Sequence, residues 1–235
     1  MTTTTDYCLC LGDSITQLSW GENSDGWLSL LQNHYNPNIS FINRGFSGYS
    51  SEHAVKYILP NLKNSVSNQN SEIFGPNLIK FATIFYGAND SVLKSCQDNA
   101  QHVPLAKYKE NIEFTLNYFN ENFPNLEKII LITLPKYDYN NWKVVTKKKY
   151  DLDFYPESKR SNENSEKYAE VVRNIVVKSQ KSRKKDDKIY QFELELADFF
   201  GEMEKMKDWE DYLIDGLHLN EKGNRLLFEL LKDKF

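Results

Sequence analysis

Cysteine is scarce in this chain: three residues in 235. An odd number cannot close into a complete disulfide framework. Cys8 and Cys10 fall on one face of an expected strand, where neighbours two apart are badly placed to bridge. Free, buried thiols and a reducing compartment are the expectation. Histidine is scarce as well: His34, His53, His102 and His218 are all there is. No Cys/His cluster or carboxylate set has the spacing of a metal centre, so neither metal nor cofactor is expected. No apolar run is long enough to cross a membrane. Residues 1–6 are threonine-rich and lack the basic start of a signal peptide, which points to the cytoplasm. A basic excess is missing too. The net charge is −4 and no basic stripe is evident, so nucleic acid is not the expected partner.

What is present is enough apolar material for a core. The chain is 40% hydrophobic and 14% aromatic, which suits one α/β domain over residues 1–235. Strand-like runs at 7–11, 39–42, 78–86, 128–133 and 189–194 alternate with helical patterns. Helices are expected at 25–35, from 50 or 51 past a kink at Pro60, from Pro104 to Pro124, from Arg160 into the charged run 178–188, at 197–206 and at 221–235. Such alternation predicts a parallel sheet covered by helices on both faces. The fold class is a flavodoxin-like three-layer α/β/α sandwich. The stretch 64–77 is polar and reads as a surface loop. The stretch 136–158 also reads as a long loop. It carries Tyr137, Tyr139, Trp142, Tyr150, Phe154 and Tyr155 among lysines. Aromatic plus basic is one pattern of single-strand nucleic-acid surfaces. Its place after a strand favours a flap on the substrate side.

The first strand breaks at Gly12-Asp13-Ser14, residue types that favour a turn or a helix N-cap. A serine where a central strand gives way to a helix sits at the carboxyl edge of the sheet, where open α/β sheets bind ligands. Ser14 is thus a candidate nucleophile by placement, although Gly-Asp-Ser also makes ordinary turns. A serine hydroxyl needs a base held by a third group. Asp215-Gly216-Leu217-His218 offers both within one short segment, although Asp215 could equally cap the final helix. An acyl-transfer site also needs oxyanion donors. Gly48 follows the second strand and lets a backbone N–H approach closely. Asn89 follows the strongest strand and carries a two-proton amide. Either could also be a simple turn or cap residue. Cys96 has no basic partner near it in sequence and is not read as catalytic.

GDS, RGFSGYS, GAND and DGLH, in this order, resemble the SGNH (GDSL-type) hydrolase family. The letters of that name fall on Ser14, Gly48, Asn89 and His218. IFYGANDS, the later Gln101-His102-Val103-Pro104-Leu105 and the ending DGLHLNEKGN are similar to the isoamyl acetate-hydrolysing esterase branch. The resemblance runs through most of the chain and is weakest at 64–77 and 136–158. It implies a five-stranded parallel sheet. It implies Ser14 as nucleophile, His218 as general base, Asp215 as its orienting group, and an oxyanion hole from the Ser14 and Gly48 N–H groups with the Asn89 amide. It also implies a small ester substrate of acetyl type and a homodimer. A carbohydrate O-acetylesterase, a lysophospholipase of the same fold and a non-enzymatic binding module stay open as rivals. The loops 91–103, 136–158 and 209–214 bring Val92, Leu93, His102, Val103, Trp142 and Trp209 toward the same edge. They predict a small apolar pocket that prefers short acyl chains. His102 could touch the alcohol side of the substrate or simply hold its loop.

Overall fold

The computed structural model describes residues 5–23, 25–66, 76–94, 101–154, 157–185 and 187–235. Cys96, Tyr155 and residues 67–75 of the polar stretch 64–77 lie outside them. Five parallel strands form one sheet: β1 (Asp6–Gly12), β2 (Ile39–Gly45), β3 (Ile79–Phe85), β4 (Lys128–Ile132) and β5 (Glu193–Ala197), in the order β2-β1-β3-β4-β5. β1 pairs with β2 on one side and β3 on the other. Successive residues of a strand point to opposite faces, and Cys8, Leu9, Cys10 and Leu11 are all fully buried, so both faces of β1 are covered. This is why the unbroken apolar run does not alternate.

The helices follow from the strand order. Growth runs outward from β1 to β2, then returns to β3 and continues to β5. Right-handed crossovers therefore put the β1–β2 helix on one face and the later crossover helices on the other. α1 (Ser14–Gln17) is a single turn after β1, and α2 (Trp27–Tyr35) buries Trp27, Leu28 and Leu31. α3 (Ser51–His53) and α4 (Leu59–Val66) are joined by a π-helical turn, Ala54–Ile58. Pro60 has no N–H and its ring crowds the carbonyl four residues back, so the widened turn sits just before it. α5 (Leu105–Asn122) packs against α3, α4 and the later α7. α6 (Tyr139–Lys149), α7 (Asn162–Arg183), α8 (Phe199–Glu204) and α9 (Glu221–Leu231) complete the chain, and α9 packs against α2.

Two expectations need correction. The stretch 136–158 holds a helix, α6, capped by the Asp138 carboxylate accepting from Asn140 N–H at 2.9 Å. No residue of α6 is buried, so it has no apolar stripe to read in the sequence. The last strand begins at Glu193 rather than near Ile189. Tyr190 and Phe192 stack on each other at 5.1 Å ahead of the strand and are buried there. β5 itself is an edge strand with alternating residues. Glu195 on it meets Lys128 at 2.9 Å and Lys234 at 3.1 Å.

In a sheet of this order the chain changes direction between β1 and β3. That is the place where loops diverge and ligands bind. Ser14 follows β1 there, and Asn89 follows β3.

Candidate active site

Ser14 opens α1 directly after β1. Asp13 caps this turn, its carboxylate accepting from Ile15 N–H at 2.9 Å. Ser14 is 8% exposed, so its hydroxyl is nearly buried yet reachable. Its Oγ lies 2.8 Å from His218 Nε2. The other ring nitrogen, Nδ1, lies 2.7 Å from Asp215 Oδ2. A carboxylate can only accept, so Nδ1 carries the hydrogen and Nε2 is left as the acceptor for the serine proton. Asp215 Oδ1 accepts from the Leu217 and His218 N–H groups at 3.0 and 2.8 Å. Burial pushes the Asp215 carboxyl upward. The hydrogen bond and charge of His218 and the two backbone donors outweigh this, and the group ends below its ordinary range.

The loop that carries this pair is held by α6. Gly216 has φ +88, a left-handed conformation that suits glycine. A Cβ there would lie 2.2 Å from Asp138 O, while Asp138 N–H donates to Gly216 O at 2.8 Å. The other histidines are engaged elsewhere. His53 Nδ1 accepts from Ser50 N–H at 3.1 Å as part of a helix cap. His102 Nδ1 donates to Val92 O at 2.6 Å and so holds its own loop. His34 packs edge-on to Tyr35 and Phe228.

Gly48 adopts φ +79, and its backbone N–H has no partner among the described residues. Asn89 is 4% exposed. Its Nδ2 donates to Tyr49 O at 2.9 Å, which ties it to the residue next to Gly48. Arg160 was expected only as a helix start. It is buried, donating from Nε to Ala88 O at 2.9 Å and from Nη2 to Asn89 Oδ1 at 3.2 Å. An arginine 71 residues away in sequence gives no spacing signal by which it could have been found.

Two more acids lie under this region. Burial pushes the Asp13 carboxyl up to about 6, against the Ile15 N–H and the nearby charges of His218 and Arg160. Burial pushes Asp90 up to about 7, against its hydrogen bonds from Ser51. Asp90 Oδ1 takes both the N–H and the hydroxyl of Ser51, while Oδ2 is buried without a partner among the described residues. Among those residues no group of three or more His, Cys, Asp or Glu is arranged to hold a metal ion, and no helix is long and apolar enough to cross a membrane.

The cavity beside His218 is not walled as the sequence suggested. It measures about 500 Å³ and lies between the α1–α2 loop and residues 214–224, with Ile15, Leu18, Trp20, Ile214 and Leu219 as its apolar wall. Of the expected loops only 209–214 contributes, through Ile214. Val92 and Val103 are turned into the core. Trp142 packs at Gly216, and Trp209 lies under Lys136 Nζ at 4.5 Å. Leu18 and Ile214 are 58% and 65% exposed at the cavity, a signal that a burial-based reading of the sequence discounts. The arrangement can move a proton from a hydroxyl to an imidazole and place N–H donors around the resulting oxyanion.

The family model for GDSL-like lipase/acylhydrolase matches residues 9–231. The chain is 33% identical over 222 residues to the isoamyl acetate-hydrolyzing esterase 1 homolog of Mus musculus, covering 94% of this chain and 77% of that protein. It is 28% identical to the isoamyl acetate-hydrolyzing esterase of Saccharomyces cerevisiae, covering 95% and 84%. A lipase/acylhydrolase structure from Enterococcus faecalis superposes with a TM-score of 0.65 at 19% identity, covering 97% of this chain and 94% of that one. At that identity the likeness is one of fold.

Proposed function

Because the chain belongs to the GDSL-like lipase/acylhydrolase family and is a carboxylic ester hydrolase, we propose that Ser14, His218 and Asp215 hydrolyse small acetyl-type esters through an acyl-serine. Ser14 Oγ gives its proton to His218 Nε2 and attacks the ester carbonyl carbon. The carbonyl oxygen becomes an oxyanion. It is met by the N–H groups of Ser14 and Gly48 and by the Asn89 amide. His218 then returns the proton to the alcohol oxygen as the C–O bond breaks. Water, deprotonated by the same imidazole, attacks the acyl-serine. The carboxylic acid leaves and Ser14 is restored. Asp215 keeps the ring in the right tautomer and stabilises it while it is charged.

One observation carries this reading: the continuous line from Ser14 Oγ through His218 to Asp215 Oδ2, with steps of 2.8 and 2.7 Å. The substrate class rests on the mouse and yeast relatives, both named for isoamyl acetate. The cavity supports it. His218 must protonate the leaving alcohol, so the alcohol lies on the His218 side, where the apolar wall of Leu18, Trp20 and Ile214 suits a short alkyl group. Residues 1–235 are read as one hydrolase domain. Cys8 and Cys10, buried and unbridged with sulfurs 3.8 Å apart, favour a reducing, intracellular setting.

An organophosphonate probe tests the nucleophile. Inactivation should proceed with one adduct, found on the Ser14 peptide by mass spectrometry. An adduct on another residue, or inactivation without one, removes Ser14 from the role.

A further inference from the structure

We propose that Arg160 is a positioning residue that fixes the Asn89 carboxamide in its oxyanion-binding orientation. This rests on the assignment of Asn89 to the oxyanion hole. An asparagine amide can turn over, exchanging its acceptor for its donors. At Asn89 the two sides of the amide meet different partners. Oδ1 faces Arg160 Nη2 at 3.2 Å, and Nδ2 faces Tyr49 O at 2.9 Å. A guanidinium has donors and no acceptor, so it admits only the oxygen on its side. Turning the amide over would set oxygen against the Tyr49 carbonyl and N–H against N–H. Two unfavourable contacts would replace two hydrogen bonds in a site 4% exposed.

Arg160 is itself held. Nε donates to Ala88 O at 2.9 Å, in the residue before Asn89, and the guanidinium lies 5.9 Å from the centre of the Tyr137 ring. One side chain therefore grips the backbone and the side chain of the Asn89 segment together. Asn89 has two amide hydrogens. Tyr49 takes one, and the other has no partner among the described residues. That second N–H is the donor for the oxyanion. A cation on the amide oxygen also draws electrons from the nitrogen, which strengthens the N–H as a donor. Burying a guanidinium is costly, and the orientation of this one amide is what it secures here.

A double-mutant cycle tests this with p-nitrophenyl acetate as substrate. R160Q should lower kcat by more than about tenfold, but by less than the ~10²–10³ expected for removing an oxyanion donor outright. KM should stay within about twofold, because the contact matters in the transition state. R160Q added to N89A should cause no further loss, since the group that Arg160 positions is already gone. If R160Q does not give a cooperative thermal melt, the cycle is run with R160K. Its cation and stem support the fold, while its single nitrogen replaces a two-pronged fork. Losses that multiply in the double variant overturn the proposal, as does a rise in KM at constant kcat. A fully active N89A would instead remove Asn89 from the oxyanion hole. Loss in N89A with none in R160Q or R160K refutes the role of Arg160 alone.

Discussion

Asp90 is the group through which pH should reach the stability of this fold. Its carboxylate is completely buried, and one oxygen lacks a partner among the described residues. Desolvation raises it from 3.8 to about 7, and raises Asp13 from 3.8 to about 6. A folded value above the unfolded one means that the folded state holds the proton more tightly. The resulting stabilisation is complete below about 3.8 and is lost as pH rises through about 6 for Asp13 and about 7 for Asp90. From about pH 5 to about pH 8, Asp90 crosses roughly two units of this range. At ~1.4 kcal/mol per unit that is ~3 kcal/mol. Asp13 adds about 1 kcal/mol over the same interval. Unfolding entropy of ~2.1 cal/mol/K per residue gives ~0.5 kcal/mol/K for the whole chain, so the Asp90 share corresponds to ~6 °C in Tm. Asp215 is depressed. Its contribution is present above its unfolded value and is lost only as pH falls further, so it does not act in this window. Asp90→Asn keeps an oxygen for Ser51 and cannot ionise. The new amide N–H costs about 1–3 kcal/mol if unpaired, but equally at every pH. Calorimetric melts of both proteins across this range should show the variant losing ~6 °C less than the parent between the two ends. Parallel Tm-against-pH curves would refute the reasoning, because Asp90 would then titrate alike in the folded and unfolded chains.

Three further outcomes are expected. Ser14→Ala should lower kcat by several powers of ten, leaving the residual rate of the oxyanion hole, with Tm close to the parent; near-parental turnover in steady-state assays sinks the serine mechanism. Gly48→Ala should cost about 1–2 kcal/mol in chemical denaturation through its positive φ, because a Cβ there makes only ordinary contact, 3.4 Å from Gln101 Nε2. It should also cut kcat by moving the N–H, and unchanged stability together with unchanged kcat would remove the left-handed requirement. Leu18→Ser combined with Ile214→Ser should lower kcat/KM for isoamyl acetate more than for methyl acetate, by about 0.8 kcal/mol for each methylene that loses its apolar contact; an equal loss on both esters would place the alcohol outside the cavity.

Much of the candidate site could be read in the sequence because it stands on central strands. β1 and β3 are central strands, so the apolar run is unbroken in β1 and interrupted only by Lys80 and Thr83 in β3, and the turns after them are sharply marked. Ser14 and Asn89 lie just beyond those ends. His218 and Asp215 share one short segment, and their pairing needs no long-range information. What escaped reading lies at edges and on surfaces. β5 is an edge strand whose Glu195 is matched to Lys128 and Lys234 from other parts of the chain, so its alternation was hidden beneath the stronger run around Phe192. α6 has no buried residue, so no helical period shows in its composition. The cavity wall is built from exposed Leu18 and Ile214, which local hydrophobicity cannot tell from ordinary surface residues.

The charges under the site impose opposite demands on pH. Asp13 and Asp90 favour the fold most when they are protonated. The proposed reaction requires a neutral imidazole at His218 and an ionised carboxylate at Asp215, which is what the depressed value of Asp215 provides. The pH of greatest stability should therefore lie on the acid side of the pH of greatest activity. Removing the buried acids would relieve this conflict only at the cost of their local work. Asp13 caps the turn that presents Ser14, and Asp90 holds Ser51 at the start of α3, beside the Tyr49 carbonyl that binds Asn89. Arg160 lies close enough to Asp13 to draw its carboxyl downward while donating to Asn89. One buried cation thus partly offsets a buried acid and, on the proposed assignment, orients an oxyanion donor.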